Sequence, residues 1–324
     1  MKTIKKLLTL LILVLFTFSL TACNSVGLKF DGNYWFNDAT SFSSSFTEVL
    51  EYEISIVNKT HSQGEIKQEG CELIIDKENS YFKTTLVSIP GTNSSYRYFT
   101  EFKLTGKFVI LDQEKEFVDT FKTLSEFTSD FKMLFSQKEY DSELTNYSYN
   151  YTVTYDDENA NCSLVEYPDD EQLKNEQQFV IKNVFEEGYI DNDVILLLGR
   201  GFNVETGFSQ TFKSVDVLSK KLHSMAYTAS HLNETLDVKQ LKPYALNGSL
   251  VTSSDSYIPC NHVNVSIQDT YSGSAIECYY AGDHKRDRHR LVEFFTLFDL
   301  SYGTSSFKLG YLDYTLKNVT LNEA

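Results

Sequence analysis

Apolar and polar positions alternate with a period of two along much of this chain. Leu50, Tyr52, Ile54 and Ile56 alternate with Glu51, Glu53 and Ser55. Tyr96, Tyr98, Thr100, Phe102 and Leu104 make a second row, and Tyr147, Tyr149, Tyr151, Val153 and Tyr155 a third. Further on come Val263, Val265 and Ile267, then Ile276, Cys278 and Tyr280, with the turn-like Thr270-Tyr271-Ser272-Gly273-Ser274 between them. Leu291 to Leu300 reads as another strand. Tyr302-Gly303-Thr304 then turns the chain into Phe307, Leu309, Tyr311 and Leu312, Tyr314, Leu316. The doubled Tyr311-Leu312 shifts the pattern to the other face, as a β-bulge would. Successive strand side chains point to opposite faces, so this periodicity predicts antiparallel sheet with one face covered.

Helical signals are few. Asp191-Asn192-Asp193 offers acidic caps ahead of Val194-Ile195-Leu196-Leu197-Leu198, and Gly199-Arg200-Gly201 stops the run, which predicts one short buried helix. Leu124, Phe127, Phe131, Leu134 and Phe135 have helical spacing and predict a second. Asp169 to Gln178 suggests a solvated turn of helix. No repeat emerges, and the only candidate subdivision of the chain lies near residues 136–148.

The first residues read differently. Lys2, Lys5 and Lys6 precede a mostly apolar stretch from Leu7 to Leu20. At 1.5 Å per residue that stretch spans roughly 21 Å, short of the about 30 Å of a hydrocarbon core. This is the layout of a secretory signal peptide. Leu20-Thr21-Ala22-Cys23 follows, and resembles the lipobox of bacterial lipoproteins. The resemblance implies diacylglycerol on the Cys23 thiol, cleavage that makes Cys23 the new N-terminus, and anchoring to the outer face of the bacterial cell membrane. Residues 1–22 are then the signal peptide and 23–48 a tether. The tether holds the only Trp, in Tyr34-Trp35-Phe36, and the polar run Ser41-Phe42-Ser43-Ser44-Ser45. Residues 49–324 form a single large domain.

Composition supports a folded chain. Hydrophobic residues make up 41% and aromatics 14% of 324 residues, ample surface to bury. The formal charge of −16 argues against a phosphate-backbone partner, so no nucleic acid is expected. The 5 cysteines are odd in number, and lipidation of Cys23 leaves Cys71, Cys162, Cys260 and Cys278. In an extracytoplasmic compartment these permit two disulfides, with Cys71–Cys162 and Cys260–Cys278 the sequence-local pairing.

The layout from Glu176 to Val319, a short apolar helix ahead of a run of paired strands, resembles the LolA/LppX-like lipoprotein-carrier fold. The resemblance implies a mainly β protein whose strongly curved antiparallel sheet wraps over one or two short helices; a β-sandwich is the alternative. It also implies space for acyl chains between sheet and helices. The candidate lining is Val194, Leu197 and Leu198 from the helix, with Phe294 or Phe295 from a strand.

Candidate chemistry is otherwise sparse. Asp283-His284-Lys285-Arg286-Asp287-Arg288-His289-Arg290 concentrates basic residues in an acidic chain. Lys285, Arg286, Arg288 and Arg290 suit contact with lipid headgroups or an anionic wall polymer, or pairing with the protein's own acids. No H-E-x-x-H, EF-hand loop, C-x-x-C or G-x-S-x-G occurs, so neither a metal nor a cofactor is expected. Asp156-Asp157-Glu158 and Asp169-Asp170-Glu171 are the carboxylate clusters that a glycosidic hydrolase would need, although adjacent acids are ordinarily solvated loops. The expectation is a non-enzymatic surface lipoprotein binding an apolar or amphiphilic ligand. The alternatives are a structural or interaction lipoprotein and, behind both, an envelope hydrolase.

Overall fold

The computed structural model describes residues 45–66, 71–89, 95–110, 113–128, 131–156, 158–167, 174–184, 189–191, 194–201, 209–237, 244–250, 257–267, 275–282, 288–302 and 305–323. Eighteen strands carry them. The first nine are β1 (Phe46–Val57), β2 (Cys71–Ile75), β3 (Tyr81–Ile89), β4 (Ser95–Ile110), β5 (Gln113–Thr128), β6 (Met133–Ser142), β7 (Tyr147–Tyr155), β8 (Ala160–Tyr167) and β9 (Asn175–Ile181). The rest are β10 (Tyr189–Asp191), β11 (Ser209–Asp216), β12 (Lys221–Asp237), β13 (Ala245–Leu246), β14 (Ser249–Leu250), β15 (Tyr257–Ile267), β16 (Ala275–Ala281), β17 (Leu291–Tyr302) and β18 (Ser305–Glu323). One helix, α1 (Ile195–Leu198), lies between β10 and β11.

All the strands belong to one sheet. From β3 to β9 the chain is a meander, each strand antiparallel to the next. β2 and β3 lie end to end along β4. β1 runs between β3 and β18, with Phe46 opposite Glu323, so the first and last strands are neighbours. Beyond β18 the sheet continues through β17, β16, β15, β12, β11 and β10. The sheet curls until its two ends approach. At the seam, the β11–β12 turn meets β9 through side chains: Lys220 bonds Gln177 and covers the Phe179 ring at 5.4 Å. The result is a nearly closed barrel, one continuous sheet rather than a sandwich of two, and closure of this kind leaves few edges bare.

The alternation in sequence becomes the barrel's inside and outside. Tyr52, Phe82, Phe102, Phe121, Tyr140 and Tyr149 follow one another across β1, β3, β4, β5, β6 and β7 by direct register, all on the inward face. Phe102 stacks on Phe121 at 4.7 Å, and Tyr140 on Tyr149 at 5.0 Å. Phe82 meets Tyr52, Phe294 and Tyr314 edge-on, and Phe294 stacks on Tyr314 at 4.1 Å. Each such ring buries 150–250 Å², about 5 kcal/mol apiece as an upper bound.

β15, β16, the first half of β17 and residues 309–312 of β18 are covered on both faces. Residues 58–66, between β1 and β2, cross their outer face as a strap, so Glu277, Tyr279 and Phe295 are as buried as the inward Cys278, Tyr280 and Phe294. That is why Tyr311 and Leu312 are both apolar: Leu312 faces inward, and the Tyr311 hydroxyl donates to the strap at Gly64 O. The bulge itself lies earlier, where Phe298 faces Gly310 and Asp299 faces Lys308, leaving Leu309 as the extra residue.

Two expectations change. Leu124 to Phe135 is not helical; it is the end of β5, a turn and the start of β6. Phe127 and Phe131 stack at 4.9 Å because the hairpin returns the chain, Phe131 at φ 62, and this mimics the four-residue spacing of a helix. Residues 175–178 belong to strand β9, and 168–173 lie outside the described residues. The predicted helix forms at α1, but Val194 is its N-cap and no side chain caps it. β1 begins at Phe46, and β6 and β7 cross residues 136–148 without a break in the sheet.

Gly310 holds the bulge at φ 140, where a Cβ would stand 2.9 Å from Val57 O. Gly310→Ala is expected to destabilise the domain by about 2 kcal/mol and to lower its thermal midpoint by several degrees, read by circular dichroism.

Candidate ligand-binding face and the buried charge clusters

The space expected beneath the helix is filled. Val194, Leu197 and Leu198 are buried, and the gap between α1 and β1, β3 and β4 measures about 10 Å³, room for a single water at most. The Tyr280 hydroxyl donates to Leu196 O at 2.9 Å, and its ring occupies the place a Cβ on Gly199 would need. Phe294 faces this core, but Phe295 points the other way, under the strap, 5.4 Å from the His61 ring. The five candidate residues therefore do not line one cavity.

The basic loop is also built differently from its sequence reading. Lys285 and Arg286 lie outside the described residues. Arg290 is buried and its Nε donates to Glu48 Oε1 at 2.8 Å. Arg200, from the end of α1, donates to Glu48 Oε2 at 2.5 Å and to Arg288 O at 3.2 and 3.3 Å. Arg288 pairs with Glu323 at 2.6 Å. Arg288 and Arg290 thus serve the protein's own acids at the start of β1 and the end of β18. Burial opposes charge on Glu48, but the two guanidinium groups outweigh it and hold its carboxyl at about 2.

All four described cysteines remain buried thiols, which corrects the expected disulfides. Register explains the second pair: Cys260 stands opposite Ala281 and Cys278 opposite Val263. For the first, β4, β5, β6 and β7 lie between Cys71 on β2 and Cys162 on β8. Burial pushes Cys278 up to about 12, so it is an inert thiol.

Of the two carboxylate runs, only Asp156 and Glu158 lie among the described residues. Asp156 caps the β7–β8 turn, accepting from the backbone of Glu158 and Asn159. Residues 169–171 lie outside the described residues. A different acidic group, unsignalled by any motif, sits under the strap. Glu277 accepts from Thr60 Oγ1 at 2.5 Å, Ser62 N at 3.1 Å and Tyr279 hydroxyl at 2.6 Å, with His262 Nε2 at 3.7 Å. His61 meets Glu293 at 2.9 Å. Asp313 accepts from Ser55 and Thr315, both at 3.2 Å. Glu277 and Glu293 latch the strap, Asp313 ties β1 to β18, and no cluster of three metal-ligating side chains occurs among the described residues.

What the structure offers a ligand is the inward floor of β4 to β7. Phe121 and Tyr140 are only half-buried there, between the nearly buried Phe102 and Tyr149. Lys138, inward on β6, places its ammonium 5.2 Å from the Phe121 ring centre. Thr84, Thr100, Thr123, Ser125 and Ser136 add a hydroxyl stripe to the same face. The outer surface offers two grooves. One, about 430 Å³, is lined by Glu51, Glu53, Lys77, Lys83 and Lys317, the other, about 290 Å³, by Lys122, Glu139, Asp141, Asn150 and Tyr167. Charged side chains rim both, and aromatic residues also line them, Tyr52, Tyr81 and Phe82 in the first and Tyr140 and Tyr149 in the second.

Glu48→Gln would leave Arg200 and Arg290 buried without their carboxylate. It is expected to cost about 3–5 kcal/mol in denaturant unfolding. In the wild type the Glu48 contribution is present above about pH 4.5 and lost as pH falls through about 2. Asp313 behaves oppositely. Burial, then Glu293, raises it from 3.8 to about 6, so the stability that depends on its neutral form is lost as pH rises between those values. His61, raised by its bond to Glu293, adds a loss at higher pH. Asp313→Asn is expected to flatten the pH 4–6 part of the stability profile; an unchanged slope in urea melts across that range would refute this role.

Comparison with known proteins supplies no family. No protein-family model matches the chain, and no curated protein matches it. Among solved structures, it is similar to one described as a beta-barrel-like protein of domain of unknown function DUF1849 from Brucella abortus. The two share 10% identity with a TM-score of 0.47, over 86% of this chain and 98% of that one.

Proposed function

We propose that this protein is a lipid-anchored bacterial surface protein whose barrel binds an apolar or amphiphilic ligand and performs no catalysis. The observation that carries the ligand reading is the half-buried aromatic floor inside the barrel. Aromatic rings left partly exposed on an inward face, next to a charged group, suit a molecule with an apolar body and a polar end. The filled space beneath α1 moves the ligand from the helix to β4–β7. The carboxylates under the strap are occupied by hydroxyl, amide and imidazole donors, which favours a structural over a hydrolytic use.

Anchoring rests on the basic, apolar and lipobox segments of residues 1–23. Two acyl chains hold a protein at a bilayer where one does not. Charge does not help, since residues 1–22 carry Lys2, Lys5 and Lys6 and no acid, so cleavage makes an already acidic chain more so. The tether joins the barrel at the start of β1, beside the end of β18 and the turn that carries Arg288.

In a bacterial host, Cys23→Ser is expected to move the protein from the membrane fraction to the medium or periplasm. Native mass spectrometry of that variant is expected to show a bound species of a few hundred daltons. Membrane retention of Cys23→Ser would overturn the anchor. Absence of any adduct, together with no binding of added dodecyl amphiphiles, would overturn the ligand reading.

A further inference from the structure

We propose that the outer face of β16 and β17 carries a box for the ammonium end of a small alkylamine, and that the imidazole of His61 on the strap fills this box as an internal ligand. The box lies outside the barrel and is separate from the interior ligand site.

His61 stands between two rings and a carboxylate. Its ring centre is 5.1 Å from that of Tyr279 and 5.4 Å from that of Phe295, both edge-to-face, and its Nε2 is 2.9 Å from Glu293 Oε2. Rings beside a carboxylate are the chemistry that holds an organic cation, because the rings attract its charge and the acid pairs with it. The walls are buried, with Tyr279 0%, Phe295 3% and Glu293 4% exposed, whereas the His61 side chain keeps 28%. The occupant therefore lies at the surface, with its box beneath it.

The acids outnumber the charge that His61 brings. It lies in the field of Glu293 from β17, Glu277 from β16 and Asp313 from β18. Glu277 has hydroxyl and amide donors of its own, and Asp313 has Ser55 and Thr315. Glu293 takes its one side-chain hydrogen bond among the described residues from His61. Without the imidazole it would be a buried charge lacking a partner, which a second cation would relieve.

The strap has other moorings. Thr60 Oγ1 and Ser62 N donate to Glu277, the Tyr311 hydroxyl donates to Gly64 O, and Ile66 N donates to Asn58 O at 2.7 Å. An amine can thus displace the imidazole while the strap stays in place. Its alkyl part would meet Tyr279 and Phe295, and its ammonium Glu293. An anion would be repelled by the three acids.

The titratable groups around His61 are Glu277 and Tyr279, Glu293, Tyr311 and Asp313, with His262 of β15 behind Glu277 and Lys59 and Glu65 on the strap itself. Rising pH removes the His61 charge, a loss that the bond to Glu293 delays, and ionises Asp313 through about 6. Both changes favour a cation from outside.

The full chain carrying Cys23→Ser, so that no acyl chain is attached, is titrated with n-butylammonium, butan-1-ol and butanoate by ligand-observed NMR, with and without His61→Ala. The His61→Ala chain is expected to bind butylammonium about tenfold tighter than the parent does and about tenfold tighter than it binds the alcohol, with butanoate weakest. Adding Glu293→Gln is expected to abolish the preference for ammonium over alcohol. Equal butylammonium binding by parent and His61→Ala, equal binding of ammonium and alcohol by His61→Ala, binding of none of the three, or a preference that survives Glu293→Gln overturns the box. If His61→Ala does not fold, the parent chain decides. Butylammonium binding that strengthens between about pH 5.5 and about pH 8 supports the box, and a flat or falling response overturns it.

Discussion

The buried carboxylate of Glu48, held between Arg200 and Arg290, is the constraint on which the barrel's closure depends. It joins three parts of the chain that are remote in sequence: the first turn of β1, the exit of α1 and the turn leading into β17. A buried ion pair of this kind is weak evidence of net stability, because desolvation consumes most of the Coulombic gain. Its value lies in specificity. An arginine left alone at either position would be an uncompensated buried charge, so α1 and the β16–β17 turn can settle only where Glu48 is. The start of β1 then has a fixed place, and β1 in turn aligns β3 on one side and β18 on the other.

How much of this could be read from the sequence depends on how many faces of each strand are covered. β4 and β7 bury one face, so Tyr98, Phe102 and Leu104, or Tyr149, Tyr151 and Val153, alternate with polar residues and the strands are legible. β16 and β17 bury both faces, and their apolar runs carry no period to separate inside from outside. Phe294 and Phe295 were for that reason indistinguishable in sequence, yet one packs on Tyr314 and the other on the strap. The turn between β5 and β6 misled in a different way. A hairpin that brings Phe127 and Phe131 together leaves the same spacing as a helical turn, and only the register of the strands distinguishes the two.

The candidate site was illegible for a related reason. Lys138 sits in Gln137-Lys138-Glu139, where no motif or alternation marks it. Its inward direction follows from pairing with Thr123 and Tyr151, a fact of register over the whole meander. Arg200 and Arg290 show the converse. They looked like parts of a glycine stop and a basic loop, and both are core residues because their acid, Glu48, is more than 150 positions away in the chain. The cysteines misled through their even number alone, since pairing requires proximity that strand order denies them.

The two parts of the barrel differ in what they can give up. β15, β16 and the start of β17 are packed on both faces, tied to β1 by the Glu48 ion pairs and latched by the strap through Glu277 and Glu293. Movement there would expose several buried charges at once, each costly without its partner. β4 to β9 have one solvated face, a seam at β9 made by side chains, and two inward rings, Phe121 and Tyr140, only half covered. Local opening is cheapest where buried apolar contacts are fewest and the backbone edge is least paired. The part with the least to lose on opening is the one that carries Lys138, Thr123 and Ser125. The rigid part then serves as the frame against which the open part is positioned, and it includes the start of β1, where Glu48 lies.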